Sequence, residues 1–276
     1  MTSALQPFVL VNGDAQAEFD LSDRGLHYGD GLFETVRVDG GRPRFLEAHL
    51  ARLRSGCERL GIRCPDEAVL KAEVATALTG SPARAVVKLL VTRGVGSRGY
   101  NPAACADPTR IVLRYPWPAY PDVFRRDGVA LRLCRMRLGL NPQLAGLKHL
   151  NRLEQVLARG EWRDEFQEGL LLDASGLIAE GTMSNVFFLR GDRLCTPRLT
   201  ACGVHGILRA EVLREAVALG LEIDEGDFTV EDLMRSDGIF LTNVVIGIWP
   251  VRVFEGQRWP PPPLCVQLMS RLGLDT

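Results

Sequence analysis

Only three lysines occur in this chain, against thirty arginines, and one of them sits where covalent chemistry is possible. It is Lys148, in the stretch Asn141-Pro-Gln-Leu-Ala-Gly-Leu-Lys-His-Leu-Asn-Arg-Leu-Glu-Gln155. Lysine is the common side chain that condenses with an aldehyde at neutral pH. To do so it must lose its proton part of the time, and partial burial favours the neutral amine. Leu144, Ala145, Leu147 and Leu150 supply apolar neighbours. The ordinary alternative is a solvated lysine in a loop packed by leucines.

Two more features bear on this one. Gly203-Val-His-Gly-Ile-Leu-Arg209 puts two glycines before a helix, where free N–H groups and the helix dipole favour a phosphate. Leu241-Thr-Asn-Val-Val245 ends a strand with two small hydrogen-bonding residues, Thr242 and Asn243. Arg52, in His49-Leu-Ala-Arg-Leu53, offers a bidentate cation to the same anion. Glu180 ends the short apolar strand Leu177-Ile-Ala-Glu180 beside small polar residues, poised to face a cavity. Each has an ordinary reading as well: a glycine-containing helix entry, a solvated helix arginine, an exposed strand-end glutamate. Together they supply an amine anchor, an anion cradle and a carboxylate for a ring nitrogen, the parts that pyridoxal 5'-phosphate requires.

Around these residues the pattern predicts two domains. Residues 1–115 form a small α/β domain, 116–122 a proline-rich linker, and 123–276 a larger, strand-rich, cofactor-binding domain. Three prolines in Tyr115-Pro-Trp-Pro-Ala-Tyr-Pro-Asp122 mark the boundary. Leu46, Leu50, Leu53, Cys57 and Leu60 predict an amphipathic helix stopped by Gly61, and Asp66 to Leu78 a second. Ala85–Thr92 and Thr109–Tyr115 read as strands flanking the glycine-rich loop Arg93–Pro102. Leu150, Leu153, Val156 and Leu157 predict a helix that starts just after Lys148, so that Lys148 projects from its terminus. Arg24 and Arg37 are expected in surface ion pairs of small worth.

Composition excludes other classes. At 46% hydrophobic, 24% charged and net charge −1, the chain reads as globular. It has no basic block for nucleic acid and no apolar run long enough to span a membrane. Seven scattered cysteines without a CxxC suggest free thiols and a cytoplasmic setting. Four histidines without paired spacing argue against a metal site. Met1 to Pro7 carries no signal-peptide pattern.

Over essentially its whole length the chain resembles the fold-type IV pyridoxal-phosphate enzymes, which include branched-chain and D-amino-acid aminotransferases and aminodeoxychorismate lyases. The resemblance rests on Asp23-Arg24-Gly-Leu-His-Tyr-Gly-Asp-Gly-Leu-Phe-Glu-Thr-Val-Arg37, His49 to Leu53, Lys148, Glu180 to Asn185 and Gly203 to Arg209. Asn141 to Leu157 and Arg93-Gly-Val-Gly-Ser-Arg-Gly-Tyr100 resemble the lyase branch most. The resemblance implies that Lys148 anchors the cofactor and Glu180 pairs with the pyridine nitrogen. It implies that Arg52, Ile207, Leu208, Asn243 and Val244 hold the phosphate. Thr35 then assists proton transfer and Arg98 meets a substrate carboxylate. It also implies a small-molecule substrate and a homodimer, with the site near the domain junction.

Overall fold

The computed structural model describes residues 8–103, 105 and 107–274, so Met1 to Pro7 lies outside the described residues. The chain divides into two compact units, Met1–Ala119 with Lys148–Asn151, and Tyr120–Leu147 with Arg152–Thr276.

The first unit runs β1 (Phe8–Val11), α1 (Arg24–Tyr28), β2 (Gly31–Asp39), β3 (Arg42–Pro43), α2 (Leu46–Leu60), α3 (Glu67–Leu78), β4 (Ala85–Thr92) and β5 (Arg110–Pro116). Its sheet is antiparallel, in the order β1-β5-β4-β2-β3. Side chains alternate across a sheet. Leu32, Glu34 and Val36 of β2 and Val87 and Leu89 of β4 are all buried. The predicted stripe of α2 delivers Leu50, Leu53 and Cys57 to the core, and Gly56 packs against Leu32. Asp66 caps α3 by accepting from Ala68 N at 2.7 Å. The opposite face of the sheet carries Phe33 and Thr35 beside Leu90 and Lys88, all only half-buried.

The short segment Lys148–Asn151 runs along the start of β2. Phe33 N donates to Lys148 O at 3.0 Å, and Leu150 N to Gly31 O at 3.0 Å. Gly31 is required for this approach. A Cβ there would lie 2.6 Å from Val91 O and 2.9 Å from the Leu150 side chain.

The second unit contains α4 (Val123–Arg126), β6 (Val129–Leu138), α5 (Leu153–Arg159), β7 (Glu168–Asp173), β8 (Ile178–Gly181), β9 (Asn185–Arg190) and β10 (Arg193–Pro197). It continues through α6 (Ile207–Ala218), β11 (Glu222–Gly226), α7 (Val230–Met234), β12 (Gly238–Asn243), β13 (Gly247–Phe254), β14 (Gln257–Arg258) and α8 (Pro263–Arg271). The strands form one mixed sheet, β11-β10-β9-β12-β13-β6-β7-β8, with β14 paired to β13. A turn closed by Gly181 N to Ser184 O joins its last strand to β9, so the sheet curls into a half-barrel. One face holds a large apolar cluster that includes Leu131, Leu170, Phe188, Ile239, Leu241 and Trp249. The other holds Cys134, Leu138, Ala158, Trp162, Leu171 and Ala179. With both faces covered, all six residues of β7 are buried. That continuous burial is usual for strands inside covered sheets.

Two expectations change. The helix after Lys148 begins only at Leu153, and Lys148 belongs to the segment paired with β2 rather than to a helix start. Nor does α5 point its leucine stripe inward: Leu153, Val156 and Leu157 are 76%, 62% and 61% exposed, and only Ala158 of that helix is buried. All seven cysteines are free thiols. Among the described residues no helix is long and apolar enough to cross a membrane, and no group of metal-ligating side chains is found.

Candidate active site

In the first unit, the β2 segment Phe33-Glu34-Thr35 divides its side chains between two faces. Phe33 and Thr35 take one face, and Lys148 Nζ lies 4.4 Å from the centroid of the Phe33 ring. Glu34 takes the other and is enclosed by α2. There it accepts from Arg52 Nε at 2.8 Å, pairs also with Arg52 Nη2, and meets His49 Nδ1 at 2.6 Å. Burial alone would raise the Glu34 pKa. The Arg52 charge, the Arg52 hydrogen bonds and His49 outweigh it, and the carboxyl falls from 4.5 to about 2. Arg52 is thus a half-buried guanidinium locked in one orientation, not a solvated helix arginine.

This triad makes a prediction for stability. The depression of Glu34 is worth about 3 kcal/mol at neutral pH. A carboxylate whose folded pKa lies below its unfolded value stabilises the fold above the unfolded value, and that gain is lost as pH falls toward the folded one. The stability gap between wild type and Glu34→Gln, read by urea denaturation, should therefore hold from about pH 8 to about pH 5.5 and narrow below about pH 4.5. A gap that stays constant down to about pH 3.5 would contradict the ionised triad.

The glycine-rich loop that follows β4 is tied down by arginines expected at the surface. Arg24 is only 4% exposed. It pairs with Asp30 at 2.9 Å and donates to Gly99 O at 2.8 Å and Tyr100 O at 3.2 Å. Arg93 shares Asp30 at 2.8 Å and caps the end of α2 through Gly61 O and Leu60 O, both at 2.7 Å. Arg37 is likewise buried, paired with Asp39 and lying over the Trp117 ring. The surface-pair expectation fails for both Arg24 and Arg37, because each finds a carboxylate and a ring or carbonyls within the fold. Arg98, within the same loop, is exposed.

In the second unit Glu180 is 4% exposed, which removes the reading of a solvated strand end. It accepts from Val204 N at 2.8 Å. Val204 also bridges to Gly146, two residues before Lys148 in the chain, and Gly146 N donates to Gly203 O at 2.9 Å. The loop leading to Lys148 and the loop leading to α6 are therefore laced together around the backbone partner of Glu180. Arg152 lies in the field of Glu180. Burial pulls its guanidinium below the usual range, and the Glu180 and Glu154 charges oppose that pull.

The two loops singled out as anion binders meet at Asn185. Asn185 Nδ2 donates to Val204 O at 2.9 Å, and its strand position pairs with Thr242. A Cβ on Gly206, the residue before α6, would lie 2.0 Å from Asn185 Oδ1, so only glycine permits this approach. No side chain caps the start of α6. The first N–H groups of a helix have no partner within it, and here they belong to Ile207 and Leu208. Asn243 shapes the adjacent turn. It accepts from Val245 N and Ile246 N at 2.9 Å each and donates to Met183 O at 2.9 Å. Val244 is buried beside it, and the hydroxyl oxygen of buried Thr242 has no hydrogen-bond partner among the described residues.

One residue was missed by sequence reasoning. Glu168, fully buried at the start of β7, accepts from Gly169 N at 2.8 Å, Thr182 N and Met183 N at 3.1 Å, Ser184 Oγ at 2.8 Å, and the Thr182 hydroxyl. It thereby fixes the turn between Glu180 and Asn185. An acid opening an apolar run, Glu168-Gly-Leu-Leu-Leu172, was the available signal.

The architecture and these residues agree with a family model. Residues 31–254 match the amino-transferase class IV family. The chain belongs to that family. Its fold is fold-type IV, the two-domain α/β class expected from the sequence, with a half-barrel sheet and a separate smaller sheet. A solved 4-amino-4-deoxychorismate lyase from Pseudomonas aeruginosa superposes with a TM-score of 0.91 at 47% identity, covering 97% of this chain and 98% of that one. Aminodeoxychorismate lyase of Vibrio harveyi is 35% identical over 242 residues, 87% of this chain and 89% of that protein. A hypothetical aminotransferase from Mycobacterium tuberculosis, solved in a PLP-bound form, superposes with a TM-score of 0.83 at 25% identity, covering 96% and 97% of the two chains.

Proposed function

We propose that this chain is a pyridoxal-phosphate-dependent lyase that converts 4-amino-4-deoxychorismate into 4-aminobenzoate and pyruvate, a step of folate biosynthesis. The observation that carries the reading is its 47% identity, over nearly the whole of both chains, to the Pseudomonas aeruginosa lyase. The side chains and helix start described above fit the cofactor. An uncapped helix start at Ile207 and Leu208 suits a phosphate, a buried carboxylate at Glu180 suits a pyridinium, and Lys148 suits an aldehyde. Arg52, oriented by Glu34, and the Asn243–Val244 turn complete the phosphate-binding set in this proposal.

When bound, pyridoxal phosphate supplies an electron-accepting ring that stabilises negative charge on the carbon bearing the amine. Lys148, with its amine free, would be the base that removes the proton from that carbon. Glu180 keeps the ring nitrogen protonated. Thr35 carries a proton toward the departing enolpyruvyl oxygen. The substrate loses one proton from carbon and one enolpyruvate, which takes a proton on oxygen; the enol becomes pyruvate by gaining a proton at its methylene carbon and releasing the one on oxygen. The substrate's own carbocycle becomes aromatic without an oxidant. Arg98 offers a cation to a substrate carboxylate.

The rival is a fold-type IV aminotransferase acting on D-amino or branched-chain amino acids, which must leave the amine on the cofactor. Holoenzyme mixed with D-alanine or leucine, with no keto acid, should yield no stoichiometric pyridoxamine phosphate on extraction. Full conversion within seconds would move the protein to that branch.

The reading also makes the enzyme a cytoplasmic homodimer. The exposed apolar side chains of α5 support a second copy, because contiguous exposed apolar surface marks association. Sedimentation should give twice the chain mass, and Val156→Glu should shift it toward the monomer. A wild-type monomer at micromolar concentration would refute the dimer.

A further inference from the structure

Glu168 holds the turn that joins β8 to β9, and its two oxygens divide the work. Oε1 accepts from Gly169 N at 2.8 Å, from Thr182 N at 3.1 Å and from the Thr182 hydroxyl. Oε2 accepts from Met183 N at 3.1 Å and from Ser184 Oγ at 2.8 Å. Burial pushes this carboxyl above the usual carboxylate range, and the hydrogen bonds oppose that push. A buried carboxylate is costly, and closing a short turn does not require one. Gly181 N, donating to Ser184 O at 2.6 Å, already closes this turn. What Glu168 adds is a fixed shape.

The residues at the two ends of the turn give that shape a purpose. Glu180, before it, accepts from Val204 N at 2.8 Å, and Asn185, after it, donates to Val204 O at 2.9 Å. The separation of Glu180 and Asn185 must therefore match the N–H and C=O of a single residue. That residue stands two positions before Gly206 and the uncapped start of α6. In the middle of the turn Met183 is held from both sides, its N–H by Glu168 and its carbonyl by Asn243 Nδ2 at 2.9 Å. One buried carboxylate thus ties together Glu180, the approach to α6 and the Asn243 turn.

We propose that Glu168 is a positioning residue for the cofactor. It sets the distance between the carboxylate that meets the ring nitrogen and the groups that meet the phosphate, so that both ends of one molecule are bound at once. This inference rests on the cofactor-binding residues proposed above. Glu168 acts through the turn and not by contact with the cofactor.

Glu168→Gln tests this, because a glutamine amide turned either way sets its NH2 against a backbone N–H, that of Gly169 and Thr182 or that of Met183. Wild-type and variant apoenzymes are compared in their affinity for three ligands: pyridoxal phosphate, pyridoxal, and inorganic phosphate. Absorbance reads the two aldehydes and calorimetry the phosphate. Linking two groups in one molecule raises affinity only where the geometry lets both engage. Glu168→Gln should therefore weaken pyridoxal phosphate about 10- to 100-fold and change each of the two fragments by less than about 3-fold. Ser184→Ala removes one donor and keeps the carboxylate. It should show the same split at about 3- to 10-fold, and it carries the test if Glu168→Gln does not fold. Pyridoxal phosphate bound as tightly as by the wild type would overturn the proposal. So would equal weakening of all three ligands, which marks a general loosening of the fold. A wild type that binds pyridoxal phosphate without turning over 4-amino-4-deoxychorismate would instead overturn the lyase reading, and the role of Glu168 would still be decided by the three affinities.

Discussion

Lys148→Ala should fold normally and release no product. The backbone at this position, not the side chain, makes the pairing with β2 through Lys148 O and Phe33 N. Alanine keeps that hydrogen bond and forfeits the contact of Nζ with the Phe33 ring, worth about 1 kcal/mol. The chemical loss is far larger. A positioned base alone contributes about 100- to 10,000-fold, and the same amine is the proposed covalent anchor. Turnover should fall by at least about 10,000-fold. Borohydride reduction followed by peptide mass analysis should label Lys148 in the wild type and nothing in the variant. Substantial turnover by Lys148→Ala without added amine would defeat the assignment, and a label on Lys88 instead would transfer the anchor to the neighbouring lysine.

Glu180→Gln separates charge from shape. Glutamine is nearly isosteric, and its carbonyl oxygen can still accept from Val204 N, which Glu180 meets at 2.8 Å. The loop that leads to α6 should therefore keep its position, and cofactor content should match the wild type. The negative charge is what is lost, and with it the means of keeping a pyridine nitrogen protonated. Removing one preorganised electrostatic group of this kind costs about 100- to 1,000-fold in kcat. Arg152 loses an opposing charge as well, so its low proton affinity should fall further. A Glu180→Gln enzyme running at the wild-type rate would remove the electron-sink role from the account.

Much of this was legible in the chain because local pattern and tertiary need agreed. The helix Leu46–Leu60 and the strand Ala85–Thr92 follow from periodicity, and both have the expected bounds. Elements without an apolar period were not legible. Strand β11, Glu222–Gly226, is a charged edge strand that exists because β10 supplies a parallel partner. Helix α7 has only five residues, although its cap, Thr229 with Asp232, was a readable signal. Residue charge also misled. Arg24 and Arg37 are among the buried side chains because Asp30 and Asp39 meet them, and such pairings depend on how the strands and loops fold. The segment after Lys148 reads as the start of a helix, yet its backbone is satisfied by a strand more than a hundred residues earlier in the chain, a pairing that local sequence does not reveal.

The most direct test of the account follows both products from 4-amino-4-deoxychorismate with pyridoxal phosphate present and no keto acid added. The account predicts many turnovers per active site, with 4-aminobenzoate and pyruvate released one for one. No turnover until a keto acid is supplied, with the amine then appearing on that acid, would contradict it.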